Sequence, residues 1–297
     1  ATRGIDTSQP LPAETREKVK KYLRNWLKIT CLIFGIKINI DDRRTEEDKE
    51  KFAPIIVGNH ISWFDTWFLA GSEFCPSFLG RGSVRKLPLV SSAADALQTI
   101  FFKRSSAEDR RAALNAALER QELIWENREY PQMCLFPEGT TTNGTELLKF
   151  QKGAFVGGYP IQPIVFQYPL DETVTADYTL VSMVPHFFIY AGQLSHIVNV
   201  TILPIYEPSH EEQIDWELFA ENVRDIIAQV GEMEKGDFSA RHNLEYEGIL
   251  LEKYGIDLQI NTFWSTQQQP FISFRKYALS CFDVFFFRVF EIKPVFP

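Results

Sequence analysis

The sequence predicts an α/β protein in which a mostly parallel or mixed central sheet is flanked by helices. Short apolar runs of strand length alternate along the chain with longer segments whose apolar residues recur at helical spacing. The chain has 297 residues, of which 45% are hydrophobic, and this is enough to bury a full core. A net charge of -8 argues against a nucleic-acid-binding surface, so no nucleic-acid partner is expected.

An amphipathic helix is predicted over residues 12–34, after a polar, proline-containing arm. Val19, Leu23 and Leu27 recur at helical spacing, with lysines and arginines between them. Two alternatives are open for the apolar face: it packs on its own domain, or it lies against a membrane or a hydrophobic partner. Residues 1–40 are therefore predicted to form an N-terminal arm and amphipathic helix.

Residues 41–260 are predicted to form the main domain, which opens with a charged connector. Predicted strands cover residues 52–58, 77–80, 99–103, 132–136, 161–167 and 197–203. Predicted helices cover residues 62–72, 106–127, 147–156 and 211–230. In such a fold, functional groups collect outside the carboxyl ends of the strands.

Residues 261–297 are predicted to be an aromatic C-terminal extension that contacts a membrane or a partner. The run QQQP at residues 267–270 separates this segment from the domain, and phenylalanine recurs through it. A free tail of this composition would expose a large apolar patch. No apolar stretch of the chain approaches, without interruption, the ~20 residues of a membrane-spanning helix.

The cysteines favour neither a zinc site nor a disulfide scaffold. Cys31, Cys75, Cys134 and Cys281 are widely dispersed and form no C-x-x-C pair. No metal site is therefore expected, and reduced, mostly buried thiols are predicted.

The run NHISWFD at residues 59–65 places an imidazole and a carboxylate just after a predicted strand. A histidine can take a proton from a hydroxyl, and a carboxylate can fix its tautomer. His60 and Asp65 are five positions apart, which in a regular helix turns the side chains about 140° from each other. They can meet only if His60 lies on the turn between strand and helix, for which Gly58 and Asn59 supply a permissive backbone. Taken alone, such a pair is more often structural than catalytic.

Four further runs accompany this motif. They are IFFKR at residues 100–104, FPEGT at 136–140, FQKGAF at 150–155 and IQPIV at 161–165. NHISWFD and FPEGT resemble the N-H-x4-D and F-P-E-G-T blocks of the glycerolipid acyltransferases, and the other three resemble shorter blocks in that family's order. The resemblance covers roughly residues 17–230. The residues around FPEGT and FQKGAF are most similar to those of lysophospholipid acyltransferases for choline or ethanolamine lipids.

The resemblance implies a glycerol-3-phosphate acyltransferase-like fold and an enzyme that uses acyl-CoA as co-substrate, with no cofactor. An acyl chain would pass to the free hydroxyl of a lysophospholipid or lysophosphatidic acid. His60 would be the general base, and Asp65 would orient it and stabilise its charge. No covalent acyl-enzyme is needed, because CoA thiolate is a good leaving group.

The same resemblance implies the substrate-binding residues Asn59, Arg104, Glu138, Gly139, Thr140 and Lys152. Arg104 would hold the acceptor phosphate through charge-assisted hydrogen bonds. Glu138 and phosphate would both be anionic, so Glu138 is expected to bond the glycerol hydroxyl or to orient Arg104. Lys152 has two open interpretations, a secondary phosphate or CoA contact and a solvated surface lysine.

Members of this family usually carry membrane-spanning or re-entrant apolar segments, whereas this chain has only two interrupted ones. The phospholipid or lysophospholipid would then be reached from a membrane surface, either of the endoplasmic reticulum or of the mitochondrial inner membrane. An alternative hypothesis is an acyltransferase-fold accessory subunit of a membrane protein complex, mitochondrial or other, that binds lipid or acyl-CoA structurally. Its N- and C-terminal tails would contact the integral-membrane partner.

Overall fold

The computed structural model of the chain describes residues 9–82, 88–102, 106–170, 174–178 and 183–239. Within these ranges, a seven-stranded sheet carries helices on both of its faces. The predicted fold class is therefore confirmed. Arg104, most of the predicted N-terminal arm and the predicted aromatic extension at residues 261–297 lie outside the described residues.

The strands and helices follow each other in an alternating order. The strands are β1 (Ile36–Asp42), β2 (Ile55–Gly58), β3 (Ser77–Arg81), β4 (Ile100–Phe102), β5 (Met133–Leu135), β6 (Glu146–Leu147), β7 (Ile161–Gln167), β8 (His196–Ile202) and β9 (Glu234–Lys235). The helices are α1 (Ala13–Phe34), α2 (Glu46–Glu50), α3 (Trp63–Gly71), α4 (Pro88–Ala96), α5 (Ala107–Asn127), α6 (Met183–Ala191), α7 (His210–Ile214) and α8 (Trp216–Gly231).

The large sheet has the strand order β1-β8-β7-β2-β5-β3-β4. Its strand pairs are parallel except for the antiparallel pair of β7 and β8. β2 lies between β5 and β7, so that Val57 is level with Leu135 on one side and Pro163 on the other. Because parallel strands end at the same edge, the segments that follow β2, β5 and β7 are brought together.

Two apolar cores lie on opposite faces of the sheet. One joins the sheet to α1 and α3, through side chains such as Leu27 and Phe68. The other joins it to α5 and α8, through side chains such as Ile124 and Phe219. Successive residues of a strand point to opposite faces of the sheet, so Ile56 packs in the first core and Val57 in the second.

The predicted helix over residues 147–156 is wrong. Leu147 instead forms strand β6 with Glu146, and the segment ends in a short 3-10 helix at Lys152–Ala154. The reason is tertiary: β6 pairs with β9, and Arg224 of α8 donates a hydrogen bond to the Leu147 carbonyl. The connector after residue 41 is also more ordered than predicted, since α2 is capped by Thr45.

Helix α1 confirms the predicted amphipathic helix, and it ends at Gly35, whose φ of 64° lies in the left-handed region. Val19, Leu23 and Leu27 are buried, so the helix packs on its own domain. α1 also carries a second apolar row that is exposed, Tyr22, Trp26, Ile29 and Leu32. No helix in the described ranges is long and apolar enough to cross a membrane. The domain limits at residues 40 and 260 stay predictions.

Candidate active site

His60 lies in the short turn between β2 and α3, before the regular helix begins. Asp65 occupies the third position of α3, and its Oδ2 atom is 3.0 Å from the His60 Nδ1 atom. Ser62 caps the helix, and its backbone N–H donates to the same Asp65 oxygen at 2.8 Å. This capping box is the local reason why two residues five positions apart come into contact.

Asp65 is completely buried, and its carboxylate accepts hydrogen bonds from four groups. Oδ2 accepts from the His60 ring and from the backbone N–H groups of Ile61, at 2.7 Å, and Ser62. Oδ1 accepts from the hydroxyl of Tyr168, which follows β7 directly. The position at a helix N-terminus also favours the negative charge. The carboxylate is therefore fixed in orientation on both of its oxygens.

The His60 ring is held so that one nitrogen remains available. Because a carboxylate only accepts hydrogen bonds, Nδ1 carries the proton shared with Asp65, and Nε2 carries the lone pair. Within the described residues, Nε2 makes no hydrogen bond, and the His60 side chain is 17% exposed. One ring face stacks on Phe136, with centroids 4.0 Å apart and an interplanar angle of 13°. This arrangement supplies a positioned proton acceptor.

The FPEGT segment holds His60 through its backbone. The His60 N–H donates to Oε1 of Glu138 at 2.9 Å, and the His60 carbonyl accepts from the N–H of Thr142 at 2.9 Å. The two sequence motifs are thus joined at the backbone of the residue expected to do the chemistry. A substitution in the FPEGT loop would therefore shift the imidazole of His60 even if the substituted residue does not contact a substrate.

Glu138 is fully buried, and both of its carboxyl oxygens are occupied by the backbone. Besides the His60 N–H, it accepts from the N–H of Leu148 at 3.1 Å, through Oε2. Burial raises the pKa of Glu138 to about 8, against the smaller opposing effects of these hydrogen bonds and of the Arg224 charge. In this structure Glu138 therefore links the backbone at His60 to the backbone at Leu148. Its predicted contact with the glycerol hydroxyl or Arg104 stays a prediction.

Asn59 also uses its side chain to hold the backbone. Its amide nitrogen donates to the Phe166 carbonyl at 2.9 Å, and its amide oxygen accepts from the Phe166 N–H at 2.8 Å. The side chain thereby continues the pairing of β2 with β7 for one step beyond the strand. Asn59 is buried, and its predicted role in substrate binding stays a prediction.

The remaining predicted substrate-binding residues are distributed around this centre. Gly139 has a φ of 74° and closes a turn by donating its N–H to the Phe136 carbonyl at 3.0 Å. Thr140 follows it and is half-buried, and Lys152 is exposed on the 3-10 helix. The predicted substrate contacts of these residues stay predictions, and Arg104 lies outside the described residues.

Three groups of the site are absent from the residues selected from the sequence. Tyr168 and Thr142 make the hydrogen bonds described above, and Phe136 stacks on His60. One feature of the sequence could have drawn attention to Tyr168. It follows a predicted strand and therefore lies at the same edge of the sheet as His60. In the described part of the chain, no cluster of His, Cys, Asp and Glu could hold a metal ion.

Comparison with known proteins finds a matching family model for part of the chain. Residues 39–167 match the model of the family described as Acyltransferase. Over these residues the chain is similar to the acyltransferase family. The matched residues begin in β1 and end with β7, and they include His60, Asp65 and Glu138.

Two curated relatives are also similar to the chain. The lysophospholipid acyltransferase LPEAT1 of Arabidopsis thaliana is 36% identical over 190 residues, which are 64% of this chain and 47% of that protein. Lysophosphatidylcholine acyltransferase 1 of Danio rerio is 32% identical over 179 residues, which are 60% of this chain and 34% of that protein. The chain thus spans less than half the length of these two relatives.

A solved structure also aligns with the chain. It is the 1-acyl-sn-glycerophosphate acyltransferase PlsC of Thermotoga maritima, with 21% sequence identity and a TM-score of 0.49. The alignment covers 73% of this chain and 80% of that one.

Proposed function

We propose that this chain transfers an acyl chain from acyl-CoA to the free hydroxyl of a lysophospholipid or lysophosphatidic acid. The observation that carries the proposal is the His60–Asp65 pair, in which Nδ1 is bonded to a buried carboxylate while Nε2 has no partner among the described residues. The names of the relatives, which are acyltransferases for lysophospholipids and lysophosphatidylcholine, support the choice of acceptor.

In the proposed reaction, Nε2 of His60 takes the proton of the acceptor hydroxyl as its oxygen attacks the thioester carbonyl. A carbon–oxygen bond forms, the carbon–sulfur bond breaks, and the imidazolium returns the proton to the leaving thiolate. Asp65 stabilises the imidazolium and keeps the ring in the tautomer that exposes the Nε2 lone pair. A positioned base of this kind contributes about 10²–10⁴-fold to the rate.

The acceptor would be held by groups that surround His60. Arg104 and Lys152 would bind its phosphate, and the Gly139–Thr140 turn would allow a close approach of the backbone, with the Thr140 hydroxyl as a donor. Asn59 and Glu138 would act mainly by holding the turn that carries His60, since both side chains are already bonded to backbone groups. The substrate would be reached from the surface of a membrane, in the endoplasmic reticulum or the mitochondrial inner membrane.

The direct test is thiol release by the purified chain with acyl-CoA and a panel of lysophosphatidylcholine, lysophosphatidylethanolamine and lysophosphatidic acid. We expect CoA release that depends on the acceptor and falls by about 10²–10⁴-fold in His60→Ala. His210→Ala is a matched control, because His210 is exposed at the start of α7, and it should retain the wild-type rate.

The alternative function is an accessory subunit of a membrane protein complex that holds lipid or acyl-CoA without reacting it. It depends on the N- and C-terminal tails, most of which lie outside the described residues. Equal CoA release by wild type and His60→Ala, with every acceptor in the panel, would contradict the enzymatic proposal and favour this one.

A further inference from the structure

The carboxylate of Asp65 receives its hydrogen bonds unequally. Its Oδ2 atom accepts from the His60 ring at 3.0 Å and from the backbone N–H groups of Ile61 and Ser62 at 2.7 and 2.8 Å. Its Oδ1 atom has one donor within the described residues, the hydroxyl of Tyr168. Asp65 is completely buried, so bulk water does not reach this atom. The orientation of the carboxylate therefore depends on Tyr168.

The alternation of side chains along β7 brings Tyr168 to this position. Phe166 and Tyr168 pack in the first core, whereas Val165 packs in the second. Helix α3 covers the first core, where the ring of Phe68 meets that of Phe166 edge-on, with centroids 5.9 Å apart. Two residues further along the same face, Tyr168 reaches the N-terminal turn of α3, which carries Asp65.

The chain directly before Tyr168 is held by hydrogen bonds on two sides. The side chain of Asn59, which follows β2, bonds both the N–H and the carbonyl of Phe166. The side-chain amide of Gln167 donates to the carbonyl of Gly231, the last residue of α8, at 3.0 Å. The phenol is therefore presented to the carboxylate from a firmly anchored strand end.

The phenol of Tyr168 acts as a hydrogen-bond donor and not as a proton acceptor. Burial raises the pKa of Tyr168 well above its usual range, and the charge of Asp65 acts in the same direction, against a smaller opposing effect of a hydrogen bond with Ser62. The hydroxyl therefore stays protonated. Because the Asp65 carboxylate can only accept, the hydroxyl proton is directed at Oδ1.

We infer that Tyr168 is a positioning residue, which keeps the Asp65 carboxylate from turning and so holds the His60 ring. Without the hydroxyl, Oδ1 would be a buried acceptor with no donor, which is unfavourable. The carboxylate would then turn to divide its three remaining donors between both oxygens, and Oδ2 would move away from Nδ1 of His60. The consequence for the reaction, a less stabilised imidazolium, rests on the proposed function.

Tyr168→Phe keeps the buried ring and removes only the hydroxyl. In the CoA-release assay we expect kcat to fall about tenfold with KM unchanged, because the hydroxyl acts through Asp65 and not on the bound acceptor. The acid limb of the pH–rate profile should move to lower pH, since a less stabilised imidazolium loses its proton more easily. A role in folding alone would lower stability without moving this limb. A kcat within about twofold of wild type, or an unmoved acid limb, would therefore overturn the inference.

Three other titratable side chains surround the contact. Cys134 of β5 and Glu138 of the FPEGT loop lie close enough to feel the charge of Asp65, and Tyr190 of α6 acts on the phenol. Burial raises the pKa of Glu138 to about 8 and that of Cys134 well above its usual range, so neither titrates in the acid limb. A shift of the acid limb therefore reports the imidazole and its carboxylate.

Tyr206→Phe is the matched control. The Tyr206 hydroxyl also donates to a carboxylate, that of Glu212 on α7. Tyr206 stacks on Phe219 in the second core, on the opposite face of the sheet from α3. The same chemical group is thus removed away from the site, and kcat and the acid limb should match wild type. Equal losses in Tyr206→Phe and Tyr168→Phe would assign both effects to stability and overturn the positioning role.

An Asp65→Asn background separates an action through the carboxylate from a direct one. If Tyr168 acts through Asp65, then removing its hydroxyl in this background should change kcat by less than about twofold. The double variant also lacks the buried charge, so its folding does not depend on the missing donor. A further loss of about tenfold in this background would mean that the hydroxyl acts by another route, against the inference.

The low-field NMR resonance of the His60 ring proton gives a measurement that needs no turnover. The resonance is identified by its loss in His60→Ala. In Tyr168→Phe it should move upfield, because a longer hydrogen bond deshields the proton less, and in Tyr206→Phe it should stay in place. An unmoved resonance in Tyr168→Phe would contradict the positioning role.

Failure of this inference is distinguishable from failure of the proposed function. Missing CoA release by wild type with every acceptor would contradict the enzymatic proposal, and the His60 resonance would still decide whether Tyr168 holds the pair. Conversely, CoA release that is the same in wild type and Tyr168→Phe would leave the enzymatic proposal in place and overturn the role of Tyr168.

Discussion

Replacing Glu138 by glutamine tests the electrostatics of the loop that holds His60. The carboxyl group is buried and accepts two backbone hydrogen bonds, and burial raises its pKa from 4.5 to about 8. Glutamine has nearly the same shape but cannot ionise. Its amide nitrogen must face one of the two N–H donors, so Glu138→Gln should lose about 1–3 kcal/mol of stability at low pH.

The effect of pH follows from the direction of the shift. Below pH 4.5, Glu138 is protonated in both the folded and the unfolded chain, so ionisation costs nothing. Between pH 4.5 and about 8 the unfolded chain releases the proton while the folded chain keeps it, and folding loses about 1.4 kcal/mol per pH unit. Above about pH 8 the loss is constant, at several kcal/mol in total. Glu138→Gln has no carboxyl group to ionise at this position and does not lose this stability, so it should be the more stable protein at high pH.

Urea denaturation at pH 5 and pH 9 measures this difference for wild type and Glu138→Gln. We expect wild type to be more stable at pH 5 and less stable at pH 9. Glu50→Gln is the control, because Glu50 is exposed on α2, and it should track wild type at both pH values. A stability difference between wild type and Glu138→Gln that does not change with pH would refute the reasoning. It would mean that the two N–H donors offset the burial of the charge.

Three further predictions concern Asp65, the contact of α1 with α3, and a buried thiol. Asp65→Asn should lower kcat by about 10²–10⁴-fold in the CoA-release assay, because an amide no longer fixes the His60 tautomer, and wild-type activity would contradict this. Gly71→Ala should lose about 1–3 kcal/mol in urea denaturation, because the new methyl group would lie 2.5 Å from Cβ of Leu27, whereas Gly82→Ala meets no such contact. Burial raises the pKa of Cys75 to about 11, so Cys75→Ser should leave the number of rapidly reactive thiols at pH 8 unchanged, and one thiol fewer would contradict it.

Sequence patterns predicted the central strands because both faces of these strands are buried. β2 and β7 are apolar on both faces and stand out as short runs between glycines and polar residues. β1 was not predicted, although Gly35 ends α1 directly before it, because it is an edge strand with the exposed residues Lys37 and Asn39. β6 was not predicted, because only pairing with the distant β9 makes it a strand.

The site shows the same division between local and long-range information. His60 and Asp65 could be selected because they follow a predicted strand within one seven-residue run, which resembles the N-H-x4-D block. Tyr168 was not selected, because its place after a predicted strand indicates only its sheet edge; it is 103 positions from Asp65 in sequence, and the sheet order brings the two into contact. Likewise, the bond between Glu138 and the His60 N–H depends on β2 and β5 being neighbours, which spacing alone does not determine.

The backbone bonds of His60 to Glu138 and Thr142 have a consequence for loop exchange among acyltransferase domains. A loop grafted in place of residues 136–142 would have to keep both of these positions, because their hydrogen bonds hold the backbone of His60 in place. Loops that keep these two positions could differ elsewhere in length and charge while the orientation of the imidazole is preserved.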